Sequence, residues 1–120
     1  MHAGTQQFTT TDKDLEFLAR HGVMAKNENF LTFDRDVGWD VAELTAKKEK
    51  CEKFGVDMEM VAIPITELNR DGGSIPAYML GDFAKGDEEI ELVCKLIRQA
   101  AEAGIPAVKY YLCEMENQRT

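Results

Sequence analysis

Residues 87–112 read Asp87-Glu88-Glu89-Ile90-Glu91-Leu92-Val93-Cys94-Lys95-Leu96-Ile97-Arg98-Gln99-Ala100-Ala101-Glu102-Ala103-Gly104-Ile105-Pro106-Ala107-Val108-Lys109-Tyr110-Tyr111-Leu112, and this stretch decides the fold. Ile90, Val93, Cys94, Ile97, Ala100 and Ala101 recur at three-and-four spacing, which predicts a helix that buries them. Glu88, Glu91, Lys95, Arg98, Gln99 and Glu102 are expected to face away. Asp87, Glu88 and Glu89 put negative charge in the expected first turn, where the helix dipole favours it, and Gly104 stands just past the last turn. The Ala-Gly-Ile-Pro junction is too short for a wandering loop. A strand over 105–112 must therefore return directly against its own helix, which is half of a βαβ unit.

Upstream the same pattern recurs. Residues 3–8 predict a first strand, and Thr11 with Asp14 makes a capping box for a helix from Asp12 to about His21, with Leu15, Leu18 and Ala19 on its apolar face. A second strand is expected over 23–30, although Lys26, Asn27, Glu28 and Asn29 are poor strand formers that resemble the start of a loop. Asp40 and Glu43 open a second helix carrying Val41, Leu44, Lys48, Cys51 and Phe54, and its mixed-charge outer face reads as solvated. A strand over 56–65 follows, then a long connection over 66–86 that includes Asp71-Gly72-Gly73-Ser74. Three times a helix ends in Gly followed by a β-branched residue: His21-Gly22-Val23, Phe54-Gly55-Val56 and Ala103-Gly104-Ile105. The order βαβαβαβ predicts an α/β protein with parallel strands.

Composition narrows the function classes. A chain of 120 residues with 44% apolar side chains fits one domain, residues 1–120. Its net charge of −8, from 22 acidic and 14 basic residues, lacks the basic footprint of a nucleic-acid binder. No stretch has the roughly 20 apolar residues of a membrane span, and residues 1–7 lack the features of a signal peptide, so a cytoplasmic protein is expected. Cys51, Cys94 and Cys113 have no metal-ligand spacing and read as reduced thiols. Asp71-Gly72-Gly73 lacks the pattern of a phosphate loop.

Two architectures suit this rhythm. A small doubly wound sheet usually closes with a helix after its last strand, whereas a TIM barrel needs eight strands and roughly 250 residues. The expected fold is a partial, half TIM barrel with parallel strands, interrupted after the fourth.

Five segments carry a resemblance: Gly4-Thr5-Gln6-Gln7-Phe8, Gly38-Trp39, Asp57-Met58-Glu59-Met60-Val61, Tyr78-Met79-Leu80-Gly81 and Ala103-Gly104-Ile105-Pro106-Ala107-Val108-Lys109-Tyr110. Together they resemble the amino-terminal half of the xylose-isomerase-like TIM barrels, and within that superfamily the mannonate dehydratase branch. The resemblance implies the amino-terminal part of a metal-dependent lyase of carbohydrate metabolism, converting D-mannonate to 2-keto-3-deoxy-D-gluconate. It also implies a divalent metal (manganese, magnesium or iron) held by His, Cys and Asp side chains in the second half of the barrel. None of Cys51, Cys94 or Cys113 matches that ligand motif, so no metal ligand is expected in this chain, which alone should be inactive. Two alternatives stand beside this reading: a sugar isomerase or epimerase of the same superfamily, and a non-catalytic α/β binding module.

In such a barrel the reacting groups sit at the carboxyl ends of the strands. The candidates are Gln6 and Gln7 after the first strand, Asn27, Glu28 and Asn29 after the second, and Glu114, Glu116, Asn117 and Arg119 after the fourth. Amides donate to and accept from sugar hydroxyls, and the guanidinium fork of Arg119 suits a carboxylate. Glu114 and Glu116, two apart, would share one face of an extended segment and either bind a cation or remain solvated. Trp39 reads as a packing anchor and His21 as a helix-end charge. The small-molecule partner is a sugar acid or sugar. Two unpaired edge strands predict a homo-oligomer.

Overall fold

The computed structural model describes residues 1–29, 31–68 and 75–111. Four strands, β1 (Gly4–Thr5), β2 (Ala25–Glu28), β3 (Asp57–Ala62) and β4 (Ala107–Lys109), form one sheet in the order β1-β2-β3-β4, every pair parallel. Three helices, α1 (Asp12–Arg20), α2 (Val41–Lys53) and α3 (Phe83–Glu102), occupy the crossovers. The strand order follows the chain without the reversal that marks a doubly wound sheet.

Local chemistry places each helix. Thr11 Oγ1 accepts from Asp14 N at 3.3 Å and starts α1, while the Asp14 carboxylate takes the Thr9 hydroxyl. Asp40 accepts from the N–H groups of Ala42 and Glu43 and starts α2. Each helix ends against a glycine in the left-handed region, as at Gly104 with φ of 74°, a conformation costly for other residues. Leu15 and Leu18 of α1, Leu44 and Cys51 of α2, and Leu92, Leu96 and Ala100 of α3 join Met58 and Val61 of β3 in one core. Burial pushes the Cys51 thiol pKa up, opposed in part by the Lys26 charge.

The helix of the organising stretch differs from expectation in two ways. It begins at Phe83, capped by Asp82, so Asp87 to Glu89 lie beyond its first turn. Glu89 is buried, and its carboxylate accepts the Tyr78 N–H at 3.2 Å, anchoring the 3₁₀ turn Ala77–Leu80. Burial, with the Glu89 charge second, raises the Tyr78 pKa. The buried stripe is also different. Leu92, Leu96 and Ala100 face the core, whereas Ile90 and Ile97 are 48% and 42% exposed. The helix carries two apolar stripes that share Ala100, and the sheet selects the one containing both leucines.

Gln99 and Lys95, expected to face solvent, instead reach the loop before α2. Lys95 Nζ donates to Asp36 O at 2.9 Å, and the Gln99 amide bonds both Val37 O and Trp39 N, at 3.0 and 2.9 Å. Gly38 lies between those two partners, and a β-carbon there would collide with the Gln99 amide.

The strands are shorter than expected: β1 ends at Thr5, β3 at Ala62 and β4 at Lys109. The second strand, β2, lies within the expected 23–30 and is formed by the very residues that resembled a loop. Lys26 and Glu28 alternate onto the helix-covered face, where each is 1% exposed and their side chains pair at 2.9 Å. The Thr10 hydroxyl adds a hydrogen bond to Glu28. Low strand propensity is overridden once the charges are paired and the backbone is bonded on both sides.

Candidate functional site

The pleat of β2 separates two environments. Lys26 lies opposite Met58 and Glu28 opposite Val61 on the covered face. Asn27 lies opposite Met60, and a register shift between Lys26 and Asn27 leaves Glu59 as the extra residue of β3. Such a bulge re-aims neighbouring side chains. A cleft of about 380 Å³ opens on the other face of the sheet, lined by residues of all four strands and of the segment just after β1, among them Gly4, Gln6, Asn27, Glu59, Met60 and Lys109. Gly4 and Ala25 approach closely there, and their small side chains leave the room.

The polar groups of this face are connected. Lys109 Nζ donates to Gln6 Oε1, and the ammonium also lies 4.7 Å from the centroid of the Tyr111 ring. Asn29 Nδ2 donates to the Gln6 carbonyl at 2.7 Å, fixing the segment after β1. His2 Nε2 lies 2.8 Å from Glu59 Oε1. Asn27 Oδ1 is shut off from solvent and receives no donor among the described residues.

The structure brings Gln6, Asn27 and Asn29 together. Asn27 and Glu28 belong to β2 itself rather than to the segment after it, and Glu28 points away from the cleft into the covered ion pair. Gln7 is exposed and outside the cleft lining, its N–H bonded to Thr5 Oγ1 at 3.3 Å. Glu114, Glu116, Asn117 and Arg119 lie outside the described residues, as do Cys113 and residues 71–74.

Sequence reasoning missed Lys109 and Glu59 as cleft residues. Lys109 had a usable signal: in a strand whose Val108 packs against the core, the next side chain must reach the opposite face. Glu59 had none, because its position depends on the bulge. Among the described residues no three His, Cys, Asp or Glu side chains come together as a metal site. His2 and Glu59 make only a pair, so the described residues do not fit a complete divalent-metal centre. No helix among the described residues is long and apolar enough to cross a membrane. No family model, no curated protein and no solved structure matches this chain.

Proposed function

We propose that the chain supplies the first four strands of a TIM barrel of the xylose-isomerase-like class, and that the parent enzyme is a sugar-acid dehydratase acting on D-mannonate. The observation that carries the reading is the hydrogen bond from Lys109, on β4, to Gln6, just after β1. On a flat sheet these outer strands would lie about 14 Å apart at ~4.8 Å per step. Side chains stand roughly perpendicular to a sheet, so a sheet that curls toward its open face favours such a meeting, which on a flat sheet would need both side chains laid out at nearly full reach. Curling combined with a strictly sequential parallel order supports barrel geometry.

In this reading the cleft is the inner wall at which substrate is held. Asn27 and Gln6 present amides to hydroxyl groups, and Lys109 presents a positive charge to a carboxylate. The divalent metal that the resemblance implies would be held by side chains other than the described ones. The role of the described residues is binding and orientation.

Assaying the 120-residue chain beside the intact gene product, with added manganese or magnesium, tests the reading. The intact product is expected to form 2-keto-3-deoxy-D-gluconate from D-mannonate, and the chain alone to form none. Turnover by the chain alone would overturn the half-barrel assignment. Interconversion of ketoses without dehydration would replace the dehydratase with an isomerase on the same fold.

A further inference from the structure

We propose that Lys109 is an anion-recognition residue of the open-face cleft, taking a carboxylate or phosphate oxygen of a small hydroxylated ligand, and that Gln6 holds its ammonium in place until that anion displaces it. The inference rests on the open face being the ligand face, as in the reading above, and is independent of the reaction performed there.

The charge pattern motivates it. The chain is acidic, with 22 carboxylate side chains against 14 basic ones, and Lys26, Lys47, Lys48 and Lys50 each pair with a carboxylate. Lys109, like Lys95 on the Asp36 carbonyl, has no carboxylate partner among the described residues. Among the described residues its partners are a neutral amide oxygen and a ring face, both of which position an ammonium without neutralising it. Glu59, the carboxylate lining the same cleft, is already engaged by His2. A cation held over a cleft by replaceable neutral partners is a site for an anionic oxygen.

A second observation points to the rest of the ligand. Among the described residues Asn27 Oδ1 is an acceptor without a donor, and a buried polar atom in that condition is destabilising. Asn27, Gln6 and Lys109 border one cleft, so a ligand held by Lys109 lies beside the Asn27 amide. The volume of about 380 Å³ suits a molecule of modest size.

The experiment titrates D-mannonate, inorganic phosphate and neutral D-mannitol into the ¹⁵N-labelled chain, following the backbone amides of Gly4, Asn27, Met60 and Lys109. At least one anion is expected to shift these signals saturably. Lys109→Met is expected to weaken that binding about tenfold or more, a change of about 1.4 kcal/mol. Lys109→Arg should restore it, and mannitol should not distinguish Lys109→Met from the parent. Amide dispersion verifies that each variant is folded. Equal anion binding by the parent and Lys109→Met overturns the inference, as does no binding of either anion at millimolar concentration. Phosphate binding without mannonate binding supports the anion site while removing the sugar-acid reading. Mannonate binding untouched by Lys109→Met does the reverse.

Discussion

Lys26 Nζ stands 2.9 Å from Glu28 Oε2 on the covered face of β2, and both side chains are almost wholly withdrawn from water. Two residues apart on one strand, they point the same way, so the pair forms only if β2 is extended and in register. Breaking a buried pair from one side leaves a stranded charge, at a cost of about 3–5 kcal/mol, whereas apolar replacement of both is often neutral. Lys26→Met and Glu28→Leu should each lower the urea midpoint sharply, and the double variant should recover most of the loss. A double variant as unstable as the sum of the singles would show that the pair does not act as a unit.

Gln99 and Gly38 form a second dependency, 61 residues apart in the chain, which a double-mutant cycle can measure. Gln99→Ala loses two side-chain hydrogen bonds and should cost roughly 1–3 kcal/mol. Gly38→Ala should cost more, because φ is 87° and the new methyl group displaces the amide. Once Gln99 is gone only the backbone strain remains at position 38. The combined loss in chemical denaturation is therefore expected to fall below the sum, and strict additivity would contradict the contact.

The Thr9 hydroxyl, followed by that of Thr11, holds the Asp14 pKa below its usual value. A depressed folded-state pKa means that the stability from this carboxylate is present above its unfolded pKa of about 3.9 and is lost as pH falls through the lower folded value. Asp14→Asn should therefore differ from the parent at pH 7 and converge with it in acid. Urea melts across that range provide the comparison, and a gap that stays constant into acid would rule out a titrating Asp14.

Self-association should be visible by sedimentation. Among the described residues, β1 and β4 each have one strand neighbour, and a parallel sheet is ordinarily covered on both faces. A second copy that pairs β4 with β1 would satisfy both edges by two-fold symmetry. A concentration-dependent dimer at moderate salt is expected, and a strict monomer over the micromolar range would count against exposed edges.

Short-range chemistry made much of this protein legible from its residues. The threonine and aspartate caps, the three closing glycines and the βαβ rhythm depend on neighbours a few positions away, and all appear where that pattern puts them. Other features required the assembled sheet. Helix α3 carries two apolar stripes, and periodicity alone assigns no preference between Ile90 with Ile97 and Leu92 with Leu96. Residues 25–28 have little intrinsic preference for a strand, and only the paired charges and flanking strands hold them in one. Lys109 meets Gln6 across 103 positions only once all four strands stand in one sheet. Local sequence specifies which dihedral angles and caps are favourable, but the choice of buried face, strand register and cleft residues depends on contacts that exist only after distant segments meet.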